Sequence, residues 1–303
     1  MSNIVNIIDF QHIYYKYKNT VMSGRIKSLT NASGEDITVK YFVLKEIERI
    51  SEHGKVDTAI CFESKTNKRK EQSEDYKAKR VKTLDSSDYD TIAEIREILS
   101  ECGYKTLCLD GYEADDLVAT LANKYSDVDS TYDEVRIYTI DNDLIQLVNG
   151  KVCVYLYKIK RGYSGYIRID MNNFDIVSEL FGTYIPYNTV MLYKCTVGDK
   201  SDNINGIKGF GVSAFEKMIS EMECTKAPFY KMNTYIVVSR VLQIYFINNL
   251  SDTDKYNQAL ESLKLVEMQR YVPGVDFEVN KIDMTNKNEI YNKLEMPSLA
   301  YNE

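Results

Sequence analysis

Apolar, β-forming runs recur along the N-terminal half of this chain, and each ends at a carboxylate. NIVNIID closes on Asp9 and DTAICFE on Glu63. KTLCLDGYEADD leads to Glu113, Asp115 and Asp116, and VRIYTIDND leads to Asp141 and Asp143. Between the runs lie stretches with apolar residues at helical spacing, over residues 39–53 and in TIAEIREILSEC, for which Ser87 is the expected cap. Strands alternating with helices indicate a parallel, doubly wound sheet. Such sheets bind ligands beyond the carboxyl ends of their strands, which is where these acids fall. VCVYLYKI and GYIRI read as a hairpin turned at Arg161-Gly162, and helical patterns dominate from about residue 170.

Carboxylates gathered at one edge of a sheet repel one another unless a cation lies among them. With Asp199 and Asp202 the groups total nine carboxylates and include no histidine or cysteine. An all-oxygen donor set suits magnesium or manganese. Two such ions a few ångströms apart are the usual apparatus for cutting a phosphodiester. Each group also has a plainer reading. Glu113, Asp115 and Asp116 suit the positive end of a helix dipole. Asp141-Asn142-Asp143 suits an Asx-turn that caps the DLIQLV helix.

Asp199 and Asp202 sit in a glycine-rich stretch that continues as Gly206-Ile207-Lys208-Gly209-Phe210-Gly211 and opens a helix near Val212. Glycines there permit unusual backbone angles and present N–H groups to a phosphate at the helix N-terminus. A dinucleotide-binding loop of that spacing needs a preceding strand, and YNTVMLYKCTVG is helical in pattern. A helix-hairpin-helix clamp on a DNA backbone fits better, with an ordinary glycine-rich turn as the alternative.

Residues 64–82 hold eight Lys or Arg against three Asp or Glu. Charge runs are usually solvated loops, but this one leaves the sheet directly after Glu63. Lys77 and Arg80, three apart, share a helical face, and Tyr76 is available to stack on a base. The net charge of -7 argues against a nucleic-acid partner when taken whole, so local positive charge has to carry that role. No apolar run approaches the ~20 residues of a membrane span, and no signal-peptide pattern is present. The expectation is a cytoplasmic chain without a membrane partner. The six cysteines lack CxxC spacing and read as reduced, buried residues. His12 and His53 fit no catalytic or metal-ligand spacing and read as surface or packing residues.

IIDF, R-x6-YKAKR, GYEADDLVA, TIDNDLIQL and GDKSDNINGIKGFG together resemble, in order and spacing, the 5′-nuclease family. That family comprises flap endonucleases, phage 5′–3′ exonucleases and the N-terminal nuclease domain of bacterial DNA polymerase I. The resemblance covers about residues 4–217. It implies an α/β fold: a PIN-like catalytic core over residues 1–170, with a basic helical arch at about 64–85. A mostly helical DNA-binding region over 171–303 would follow, with a helix–three-turn–helix at about 187–222. The implied activity is structure-specific 5′-nuclease chemistry, both 5′–3′ exonuclease and flap endonuclease, using two Mg2+ ions for which Mn2+ substitutes. The first ion would be held by Asp9, Glu63, Glu113, Asp115 and Asp116, and the second by Asp141, Asp143, Asp199 and Asp202. Arg69, Tyr76, Lys77 and Arg80 would act in the arch on the scissile phosphate. Gly206, Lys208, Gly209, Gly211, Ser213 and Lys217 would meet the duplex backbone, with K+ at the helix–three-turn–helix.

The implied partners are DNA with a 5′ flap, nick or free 5′ end, and RNA–DNA hybrid, bound by a monomer. No motif supports a single-strand-binding protein as a partner. Two positions depart from the family pattern: Glu63 replaces the usual Asp, and Ser213 stands where a Lys is common. The competing readings are a non-catalytic, structure-specific DNA-binding protein and a simple PIN-type ribonuclease. Concentrated negative charge beside phosphates does nothing for a pure binder, and simple PIN domains lack the arch and the GDxxDN loop.

Overall fold

In the computed structural model, residues 2–68, 84–160, 163–224 and 235–300 are described. One six-stranded sheet has the order β3-β2-β1-β4-β5-β6. Strands β1 (Ile4–Asp9), β2 (Asp57–Cys61), β3 (Lys105–Leu107), β4 (Glu134–Thr139) and β5 (Val152–Lys160) run parallel. Strand β6 (Tyr163–Ile169) returns antiparallel along β5, as expected of the hairpin, whose turn at 161–162 lies outside the described residues. β1 is central and covered on both faces, so its run is mostly apolar, with Val5, Ile7 and Ile8 fully buried. Its one polar interior residue, Asn6, donates to Ile50 O at 2.9 Å.

Helices α1 (Phe10–Met22), α2 (Thr38–Ile50) and α3 (Ser86–Glu101) precede α4 (Ala114–Tyr125). The later helices are α5 (Asp175–Phe181), α6 (Val190–Val197), α7 (Val212–Cys224), α8 (Tyr235–Leu242), α9 (Thr253–Val266) and α10 (Met284–Lys293). A π-helical turn, Gln243–Asn249, continues α8. One apolar layer packs Val5, Ile7, Val135 and Ile137 of the sheet against Leu117 and Leu121 of α4. The same layer takes in Leu192, Phe215, Phe246 and Val275, so the C-terminal helices share the core of the strands. The opposite layer joins Ile8, Ile60 and Tyr138 to Ile13, Leu44, Ile47 and Ile95, and is closed by Tyr291 of α10.

α1 was not foreseen. Its aromatic residues favour strands, yet Phe10, Ile13 and Tyr14 are buried at helical spacing, and the Phe10 ring stacks on Phe62 at 4.1 Å. Tertiary burial overrides propensity here. Ser87 is not the cap of α3. Asp85 is, accepting from Ser87 N at 2.9 Å and Asp88 N at 3.1 Å. A carboxylate that takes two orphan amides is the stronger cap.

α10 is pinned by a buried ion pair. Lys287, fully buried, places Nζ 2.6 Å from Glu48 Oε2 and donates to His53 O at 2.7 Å. Tyr104 and Tyr291 hydroxyls donate to Glu48 Oε1 at 2.8 and 2.6 Å. Cys61, Cys102, Cys153 and Cys195 are buried free thiols, and Cys108 is partly buried. Among the described residues no helix is long and apolar enough to cross a membrane.

Candidate metal and nucleic-acid site

Asp9 ends β1 in register with Cys61, the last residue of β2. Thr139 Oγ1 donates to Asp9 Oδ2 at 2.8 Å and accepts from Asp141 N at 3.0 Å. One hydroxyl thus ties the end of β1 to the turn after β4. Burial raises the Asp9 carboxyl from 3.8 to about 7; the charges of Asp141 and Glu63 add to the shift, and the Thr139 bond opposes it. The buried Cys61 thiol is pushed up by desolvation and then by the charges of Asp9 and Asp115. Asp9, Glu63, Asp115 and Asp141, from four chain segments, therefore share one electrostatic neighbourhood. His12 is buried, its pKa lowered to about 4 chiefly by burial. Its Nδ1 bonds Asp9 O at 2.5 Å and its Nε2 the Tyr166 hydroxyl at 2.9 Å, so it is a packing residue as expected.

The plainer readings of the acids are also realised. Glu63 Oε2 accepts from Ala114 N at 3.0 Å and so sits at the positive end of α4. Glu113 Oε1 accepts from Asn67 Nδ2 at 2.7 Å. Asp116 accepts from Glu113 N at 3.3 Å and from Gln269 N at 2.8 Å, which ties the C-terminal segment to the start of α4. Asp141 Oδ1 accepts from Asp143 N at 2.8 Å, the expected Asx-turn.

Asp143 and Asp199 meet on a residue that sequence reasoning missed. Lys194 of α6, 5% exposed, forms ion pairs with Asp143 and, at 2.5 Å, with Asp199 Oδ2. The lysine holds the Asp199 carboxyl below its usual range against the opposing effect of burial. These residues floor a cleft of about 430 Å³, lined also by Asp141, Asn142 and Tyr193. A signal was present: a single cation in the apolar run VMLYKCTV requires a counter-charge once that helix is buried. Asp202 is buried nearby in sequence, at 5% exposure.

The glycine loop is tightly constrained. Asp199 and Ile204 exchange both backbone hydrogen bonds at 2.8 Å, and Ile207 N reaches Thr196 O at 2.8 Å. Gly206, at φ +65°, has no room for a side chain, since an added Cβ would lie 2.5 Å from Gly198 N and 2.6 Å from Thr196 O. Gly209, Gly211, Ser213, Lys208 and Lys217 are all exposed. All but Lys217 lie at the N-terminus of α7, whose first amides lack partners within the helix and favour anions, while Lys217 lies more than a turn further in and faces Glu221 at 3.8 Å.

The foot of the basic segment stands beside Glu113. Lys68 N donates to Gly111 O at 3.0 Å, and the Lys68 ammonium lies 4.1 Å from the centre of the Tyr112 ring. Arg69, Tyr76, Lys77 and Arg80 lie outside the described residues.

Among the described residues, no three acids form one compact chelating group. Their oxygens go to Thr139, Ala114, Asn67, Gln269 and Lys194. The donor chemistry nevertheless fits a hard divalent cation, because every candidate ligand is a carboxylate and Asp9 is held near neutrality partly by its acidic neighbours. The Asp9 shift predicts a pH dependence. Its folded pKa lies above the ordinary 3.8, so the folded state binds more protons between that value and about 7. The stability from this group is full below the ordinary value and is lost as pH rises through about 7. Metal-free protein is expected to be less stable at high than at low pH by a few kcal/mol from this carboxyl, and Asp9→Asn is expected to flatten that profile. Urea unfolding in EDTA at several pH values checks this. Parallel profiles for the two proteins would remove Asp9 from the account.

The mostly parallel α/β sheet thus has acids at or just beyond its strand ends, the foot of a basic segment beside them and a glycine loop after them. The chain belongs to the 5′-3′ exonuclease family: residues 5–176 match its N-terminal resolvase-like domain. The 5′-3′ exonuclease of Mycoplasma genitalium is 37% identical over 153 residues, which are 50% of this chain and 49% of that protein. DNA polymerase I of Caldicellulosiruptor bescii is 31% identical over 198 residues, 65% of this chain and 22% of that protein. The chain thus spans about half of the one relative and about a fifth of the other. The T5 5′-exonuclease with bound divalent zinc shares the fold at a TM-score of 0.56 and 18% identity, with 98% of this chain and 91% of that one covered.

Proposed function

We propose that this chain is a structure-specific 5′-nuclease that hydrolyses DNA phosphodiesters at a 5′ flap, a nick or a free 5′ end, acting as a cytoplasmic monomer. RNA–DNA hybrids of the kind left by primers fall within the same substrate class. The observation that supports this reading is the buried Asp9 carboxyl at the end of β1, raised to about 7 by burial and then by the charges of Asp141 and Glu63. Asp9, Glu63, Glu113, Asp115 and Asp116 would hold one Mg2+, and Asp141, Asp143, Asp199 and Asp202 a second. When bound, such a pair supplies an activated water and offsets charge on the attacking and leaving oxygens.

The chain's own groups do the rest. Thr139 fixes the relative position of Asp9 and the Asp141 turn. The amides at the start of α7, with Lys208, Ser213 and Lys217, hold a duplex backbone without reading sequence, with K+ at the loop. Lys77 and Arg80 would neutralise charge developing on the phosphate, with Arg69 of the same basic segment and Tyr76 as the residue available to stack on a base. The core over residues 1–170 carries most of the metal ligands, and residues 171–303 add Asp199 and Asp202 and carry the duplex contacts.

The test is cleavage of a 5′-labelled flap duplex, a nicked duplex and an RNA–DNA hybrid. In Mg2+ the flap substrate is expected to release its 5′ arm near the junction, and EDTA is expected to stop the reaction. A substrate left intact in Mg2+ but still bound would establish the non-catalytic binder instead.

A further inference from the structure

The Asp143–Asp199 pair does not wait open for a cation, because a side chain of the protein already satisfies it. Asp199 Oδ1 accepts from Ser201 N at 2.8 Å and from the Ser201 hydroxyl at 2.5 Å, while Oδ2 faces Lys194 Nζ at 2.5 Å. The same ammonium is paired with Asp143 Oδ1. A divalent ion shared by these two carboxylates would sit within about 2.0–2.6 Å of each, which is the space the ammonium fills. Two cations do not share one point. We propose that Lys194 is a resident counter-ion of the second metal position, and that a divalent ion binds between Asp143 and Asp199 only by displacing it. This rests on the assignment of those two acids as ligands in the proposed nuclease.

The surroundings suit a displaceable cation. α6 buries Val190, Met191, Leu192 and Cys195 in the core, so the lysine stem is anchored in apolar surroundings. The cleft lined by Asn142, Tyr193, Lys200 and Ser201 gives its head a way out. A flexible four-carbon stem lets the ammonium swing without moving the backbone. With the lysine in place, the two partly buried acids keep a partner in the absence of metal. Metal at this position is then bound against an ion pair.

Lys194 is therefore a positioning residue whose signature is weakened metal binding at one position. The experiment is titration calorimetry of the full chain with Mn2+ alone, on wild type, Lys194→Met and Lys194→Arg, together with thermal melting of each in EDTA. Wild type is expected to show a tighter and a weaker Mn2+ site. Lys194→Met is expected to tighten the weaker one by about 10- to 100-fold and to lower the melting temperature in EDTA, a deficit that Mn2+ restores. Lys194→Arg keeps the charge and is expected to leave the weak site weak. An unchanged or weakened second site in Lys194→Met, with folded protein by melting, overturns the proposal. Flap cleavage by wild type in the same preparation separates that failure from failure of the nuclease reading. A wild type that binds no Mn2+ at all overturns both.

Discussion

Asp141→Asn is expected to lower the single-turnover rate of flap cleavage by about 10³-fold or more, while leaving the fold intact. Loss of a metal ligand removes several kcal/mol of transition-state stabilisation, and each 1.36 kcal/mol is about tenfold in rate. The fold survives because asparagine keeps the Oδ1 acceptor that receives Asp143 N, so the Asx-turn persists. Burial still raises Asp9, but one of the two charges that add to that shift disappears with the substitution. Asp115→Asn, at a half-buried position whose charge acts on Cys61, is expected to behave alike. The measurements are rate at saturating Mg2+, DNA binding and melting temperature. Full cleavage by both variants would sink the metal assignment, whereas loss of melting transition together with loss of rate would assign these acids a structural role.

The second large effect concerns stability. Lys287→Met leaves Glu48 buried at 1% exposure without its cation, and removing one partner of a buried pair costs about 3–5 kcal/mol. Tyr104 and Tyr291 still donate to Glu48, but hydroxyls do not neutralise it. The double variant Lys287→Met with Glu48→Gln is expected to recover most of the loss, because no uncompensated charge remains. Urea unfolding of the two single variants and the double gives the coupling directly. Additive effects would show that the pair is not the tie between α10 and α2.

The strands were readable because β1, β2 and β4 are short apolar runs that stop at acids, and a period-free apolar run suits a strand buried on both faces. The glycine loop was readable because Gly206 has no room for a side chain, and such a requirement leaves its mark on the sequence. What the sequence hid depends on contacts between distant residues. Lys287 looked like any lysine of a polar tail, since its partner is 239 residues away. Asp116 looked like one more ligand, and its bond to Gln269 follows only from where the C-terminal segment lies. Lys194 was visible as an odd cation in an apolar helix, but its two acids approach it from different turns of the chain. α1 was masked by residues whose local preference is for strands.

The tie between α10 and α2 also bears on synthesis. By residue 169 a nascent chain has delivered every described strand of the sheet, with Asp9, Glu63, Asp115 and Asp141 already made. Its second layer is still open then, because Tyr291 has not arrived to close it and Glu48 has no cation. Contacts this distant in sequence form late and slowly. Closure of that layer is thereby deferred until residues 284–293 have left the ribosome.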